Sequence, residues 1–155
     1  MTPFGREQRE VQPKLHIKSK MEYLTTISDF VASAAKEFGL DEDQAFAVQM
    51  AVDEACTNVI EHAYGASPDG TIDIACEFQN DEMVIQVRDH GKAFDPQSVL
   101  PPDLAAPLDE QEGRCLGLYL MFKLMDSIRF EFDAIEGNTL TMVKRRHGAK
   151  PAICV

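Results

Sequence analysis

The segment AVDEACTNVIEHAYG, residues 51–65, reads as the back half of a long helix, and the rest of the chain can be placed around it. Ala51, Ala55, Val59 and Ala63 recur at steps of four, and Phe46 and Met50 extend the apolar stripe upstream. Asp41 is placed to cap this helix, with Gln44 three residues on completing a capping-box pair, and Gly65 ends it. Glu54 and Asn58 lie four apart, one turn from each other on a single face at the edge of the stripe. A carboxylate there can polarise a hydroxyl, and an amide oxygen can ligate a hard cation such as Mg²⁺. The same pair is also ordinary on a solvated helix face, so it needs company before it means anything. His62 reads as a helix-end histidine favoured by the dipole.

Upstream, Leu15 and Ile17 alternate with polar neighbours as in a short strand. From Met21 to Phe38 the apolar residues Leu24, Ile27, Phe30, Val31, Ala34, Ala35 and Phe38 mark an amphipathic helix stopped by Gly39. Downstream, Ser67-Pro68-Asp69-Gly70 is a turn, and Thr71–Phe78 and Met83–Arg88 are strands joined at Asn80-Asp81. Four prolines (Pro96, Pro101, Pro102, Pro107) break any pattern between His90 and Arg114, which reads as a long functional loop. Leu116–Met125 is helical, and Ser127–Phe132 and Thr139–Arg145 form a last hairpin around Glu136-Gly137-Asn138. Grouped strands with segregated helices imply an α+β fold: a two-layer sandwich whose mixed, mostly antiparallel sheet is covered on one face by helices. The expected domain spans 15–146, between a polar tail at 1–14 and a short one at 147–155.

The chain has 155 residues, enough for one domain with its own core. Fifteen Lys and Arg against 26 Asp and Glu give a net charge of −11, which argues against nonspecific binding to a phosphate backbone. A partner with basic patches suits this surface better. The four cysteines, Cys56, Cys76, Cys115 and Cys154, form no C-x-x-C pair, which argues against a zinc ribbon or redox motif. Residues 1–14 lack an apolar signal core, and no apolar run approaches the ~20 residues that span a bilayer. The expectation is a cytoplasmic protein with free thiols.

Two further segments give Glu54 and Asn58 their company. Asp89-His-Gly91-Lys-Ala-Phe94 comes directly after a strand. A carboxylate at a strand end can accept from the exocyclic amine of adenine, where guanine presents an acceptor, and Gly91 lets backbone approach a flat base. Gly113-Arg114-Cys115-Leu116-Gly117-Leu118 opens a helix after the long loop. Free N–H groups at a helix start, with the dipole behind them, favour phosphate. Neither a Walker A motif nor a dinucleotide-binding fingerprint is present.

In this order the three segments resemble the Bergerat ATP site of the histidine-kinase-like ATPase superfamily: an N box at 54–58, a first glycine box at 89–94 and a second at 113–118. Within it the chain is similar to the anti-sigma-factor serine kinases. The resemblance implies an ATP-dependent serine-protein kinase that uses Mg²⁺, phosphorylates a small anti-sigma-factor antagonist, sequesters a sigma factor and forms homodimers. It implies Glu54 as general base and Asn58 as the Mg²⁺ ligand. Asp89, Gly91 and Phe94 would hold the adenine, with Thr139 supporting that end, and residues 96–113 would form a lid. Gly113, Cys115, Leu116, Gly117 and Leu118 would line the phosphates, with Arg114 near the terminal one. Cys115 stands where the second box usually has glycine, which keeps a non-catalytic, ATP-gated binding module as the alternative. The catalytic domain of a sensor histidine kinase and an α+β domain without nucleotide are further alternatives.

Overall fold

The computed structural model describes residues 12–93 and 113–146, with side chains in the second span from Gly117 onward. Helix α1, Leu24–Phe38, comes after a single 3-10 turn at Met21–Tyr23. It ends at Gly39 (φ 94°), where Gly39 N–H reaches Lys36 O and Leu40 N–H reaches Ala35 O, as in a Schellman motif. Helix α2, Glu42–Asn58, starts with a complete capping box. Asp41 Oδ1 accepts from Gln44 N–H at 2.8 Å, and Asp41 N–H donates to Gln44 Oε1 at 3.2 Å.

The buried stripe of α2 runs through Ala45, Val48, Ala51, Val52, Ala55 and Cys56. Phe46, expected in that stripe, is instead 60% exposed. It lies about 200° around the helix from Val48, so burying one exposes the other. The α-helix also stops earlier than expected. Val59–Ala63 form a π-helical turn, closed by Tyr64 N–H to Val59 O at 3.0 Å.

Five strands take the order β1-β2-β3-β5-β4: β1 Lys14–Lys18, β2 Thr71–Gln79, β3 Glu82–Asp89, β4 Ser127–Asp133 and β5 Gly137–Arg145. Every described pairing is antiparallel, so the expected mixed sheet is a purely antiparallel one here. The β2–β3 and β4–β5 pairs are hairpins, which are antiparallel by construction. Asn80 and Asp81 turn β2 into β3 with positive φ at both residues (47° and 64°), the two-residue turn whose twist matches the strands. Helix α3, Gly113–Leu124, lies between β3 and β4 in the chain.

One face of the sheet meets the helices. Ile72, Ile74 and Cys76 of β2, Met83, Ile85 and Val87 of β3, and Met142 of β5 join Ile27, Val31, Val48, Val52, Leu118 and Met121 in a single core. Leu15 and Ile17 of β1 pack against it, as their alternation implies. The far end is fastened by Arg146. Its guanidinium pairs with Asp81, donates to Phe38 O and lies 5.0 Å from the Phe38 ring, which stacks on Phe78. No described helix is long and apolar enough to cross a membrane.

Candidate active site

The inward positions of β3 run Met83, Ile85, Val87 and then Asp89, an acid in line with three core residues and only 6% exposed. A carboxylate there is tolerable only if hydrogen-bonded. Asp89 Oδ1 accepts from Gly91 N–H at 2.9 Å and from Asn138 Nδ2 at 2.9 Å, and Asn138 Nδ2 also donates to Gly91 O at 3.1 Å. Asn138 is the direct cross-strand partner of Asp89 in β5. Two glycines make the arrangement possible. A Cβ on Gly91 would sit 2.5 Å from Ala63 O, and one on Gly137 (φ 88°) would sit 2.4 Å from Asp89 O.

A cleft of about 530 Å³, open mouth included, lies between the end of α2, helix α3 and the β3–β5–β4 end of the sheet. Asn58, His62 and Ala63 form one wall, Leu118 and Met121 the other, and Val87, Leu140 and Phe130 the floor. Asp89, Asn138 and Lys92 supply polar groups at one end.

Glu54 sits one turn before Asn58, against α3. A Cβ on Gly117 would fall 2.5 Å from Glu54 Oε2, so the carboxylate occupies the space that Gly117 leaves. Burial raises the Glu54 pKa above the usual carboxylate range, and the charges of Asp53 and Glu61 raise it further. Asp53 is also raised, by burial. Cys56 and Cys76 are buried thiols held well above their ordinary pKa by burial, Cys76 at about 12, and neither is a nucleophile at neutral pH.

The structure therefore brings Asn58, Asp89 and Leu118 to one cleft, with Gly91 behind Asp89 and Glu54 against Gly117. Phe94 and the lid segment up to residue 112 lie outside the described residues. Gly113, Arg114, Cys115 and Leu116 form the first turn of α3, which begins three residues before its expected start. Gly117 is thus in the second turn of the helix and not in its first. Only the first four N–H groups of a helix lack intrahelical partners, so Gly117 accommodates Glu54 and is not one of those donors. Thr139 borders the cleft. Its cross-strand partners are Arg88 and Glu131, on the sheet face opposite Asp89, and Asn138 is the residue in contact with Asp89. Sequence reading misses Asn138 and Lys92, and it takes His62, which continues the side of Glu54 and Asn58 and lines the cleft, for a helix-end histidine only. No hairpin turn fixes the β3–β5 register, because the two strands are not consecutive in the chain, so no local signal marks Asn138.

Residues 17–144 match the histidine kinase-like ATPase domain family. The chain is 35% identical over 135 residues to a serine-protein kinase RsbW of Bacillus cereus, covering 84% of this chain and 82% of that protein. It is equally similar to the serine-protein kinase RsbW of Bacillus thuringiensis subsp. konkukian. Among solved structures, the RsbU and RsbW domains of Rv1364c from Mycobacterium tuberculosis superpose with a TM-score of 0.61 at 22% identity, covering 92% of this chain and 34% of that longer one. The catalytic domain of the histidine kinase ThkA superposes with a TM-score of 0.51 at 13% identity, covering 86% of this chain and 97% of that one.

Proposed function

Since the chain belongs to the histidine kinase-like ATPase family, and within it to the serine-protein kinase RsbW family, we propose that it transfers the γ-phosphoryl group of ATP to a serine of a small anti-sigma-factor antagonist and that it sequesters a sigma factor. The observation that carries this reading is that one cleft joins Asn58 to Asp89 while Glu54 rests one turn away against α3. Asp89 reads the adenine amine. Its Oδ1 is already engaged by Gly91 and Asn138, so Oδ2 is the oxygen for the ligand. The first-turn N–H groups of α3 take the phosphates.

Among the described residues no three His, Cys, Asp or Glu side chains converge as a metal cage. A lone amide oxygen suits Mg²⁺, which is commonly held by one or two protein ligands together with substrate phosphates. Asn58 would be that ligand, and bound Mg²⁺ would neutralise phosphate charge. Glu54 takes the proton of the serine hydroxyl as its oxygen attacks the γ-phosphorus. The bond from phosphorus to the bridging oxygen breaks and ADP leaves. A carboxylate with a raised pKa is a better proton acceptor than an ordinary one.

The acidic surface fits a sigma factor with a basic patch. A homodimer in the cytoplasm completes the proposal, and β1, with one neighbour among the described strands, offers an edge for pairing. The test is incubation with labelled ATP, Mg²⁺ and the cognate antagonist, with Glu54→Ala as control. Transfer to serine that the control loses supports the reading. No transfer by the native chain, or equal transfer by the control, overturns it.

A further inference from the structure

The adenine-side loop is not held by its own strand alone. The Tyr64 hydroxyl donates to Thr71 O at 2.7 Å and accepts from His90 N–H at 2.8 Å. It thereby joins the first residue of β2 to the residue just after Asp89. The ring is fixed as well, because a Cβ on Gly70 would lie 2.6 Å from its carbons. Tyr64 leaves the π-helical turn directly, and the neighbouring Lys92 N–H donates to Ala63 O at 2.7 Å. The segment His90–Lys92 is therefore hung at two points from the end of α2, the helix that carries Asn58. A π-helical turn inserts an extra residue into the helix and so rotates the residues beyond it. Here the residue beyond it is Tyr64, whose side chain reaches His90.

We infer that Tyr64 is a positioning residue for nucleotide recognition: its hydroxyl sets the place of the Asp89–Gly91 loop relative to Asn58, and so fixes the distance between the adenine-reading and metal-binding ends of the cleft. The inference rests on the ATP site proposed above. Tyr64 touches no reacting atom in this arrangement. Its effect falls on the affinity and selectivity for the base, and not on the transfer step.

The test is Tyr64→Phe, which keeps the ring against Gly70 and removes only the hydroxyl. Three quantities are measured beside the native chain: KM and kcat for ATP at saturating antagonist, the ratio of ATP to GTP affinity by calorimetry, and amide exchange at His90. The expected result is a KM for ATP raised about fivefold, the scale of one or two neutral hydrogen bonds, with kcat within twofold. The preference for ATP over GTP narrows and the His90 amide exchanges faster, while the amides of Ile85 and Met142 keep their protection. A lowered kcat at unchanged KM, an unchanged nucleotide preference, or a uniform rise in exchange across the sheet overturns the inference. If the native chain binds no ATP, the ATP-site reading itself fails. If it binds ATP and Tyr64→Phe binds it equally well, only the role of Tyr64 fails.

Discussion

The two ends of the cleft are built differently. At the Asp89 end, backbone and side-chain hydrogen bonds from Gly91, Asn138, Tyr64 and Lys92 tie loop, strand and helix together. At the Glu54 end, a half-buried carboxylate leans on a glycine in a neighbouring helix, beside two other acids that disfavour its charge. The first arrangement suits a rigid reader of a flat base. The second suits a group that must gain and lose a proton. A preorganised hydrogen-bond frame discriminates by leaving the wrong ligand's groups unpaired, whereas a proton acceptor works best when its pKa is near the operating pH.

That contrast predicts a hierarchy of losses. Glu54→Ala removes the proposed proton acceptor, and kcat for serine phosphorylation is expected to fall about 10²- to 10⁴-fold, the usual contribution of a general base. ATP affinity, measured by calorimetry, stays within a few-fold. A large loss of binding in this variant erases the distinction between the two ends.

Gly117→Ala is a subtler break at the same end. The added methyl must displace Glu54 Oε2, which lies at the tip of a flexible side chain, so the fold survives and the carboxylate moves. A misplacement of about 1 Å is enough for a loss on the order of 10²-fold in kcat. Thermal unfolding of the variant should stay close to that of the native chain. Restoration of activity in Gly117→Ala by shortening the base, Glu54→Asp, sharpens the point, while an unchanged kcat in Gly117→Ala removes Glu54 from the mechanism.

At the other end, Asp89→Asn keeps the shape and removes the charge. Hydrogen bonds to charged groups are worth about 1.5–3 kcal/mol, so ATP binding by calorimetry is expected to weaken about 10- to 100-fold, with kcat at saturating ATP much less affected. Equal effects on both parameters count against a division of labour between the ends.

The sequence carries the elements better than their faces. The capping box at Asp41 and Gln44, the glycine stop at Gly39 and the turn at Asn80-Asp81 are local chemistry, and each is found in its expected place. Phe46 misleads because a hydrophobic residue on a helix has no label saying which side the sheet lies on; the small residues Ala45, Ala51 and Ala55, which allow close approach, mark the packed side better. The start of α3 departs from expectation because a glycine such as Gly113 weakens a helix but does not exclude it from one; what Gly117 accommodates is equally hidden, because the Glu54 carboxylate is about 60 residues away in the chain. Glu54, Asn58 and Asp89 are legible as residue types at set spacings. Asn138 is not, since its role comes from register across two strands and not from any local motif.

The smallest expected effect is the most specific to the Glu54 end. Burial is the main cause of the raised Glu54 pKa, then Asp53 and then Glu61. The proposed base must be ionised to accept a proton, so the acidic limb of the kcat/KM profile should lie above the ordinary range of a glutamate, with activity lost as pH falls through the raised pKa. Asp53→Asn removes the charge with the larger effect and lets Glu54 ionise at lower pH, moving the limb toward acid by a fraction of a pH unit, as half-exposed charges do. Glu61→Gln should move it the same way by less. Neither change touches the Asp89 frame, so ATP affinity at neutral pH should be the same in both. A limb that moves toward alkali, or that tracks Asp89→Asn in place of Asp53→Asn, assigns the titrating group to the other end of the cleft.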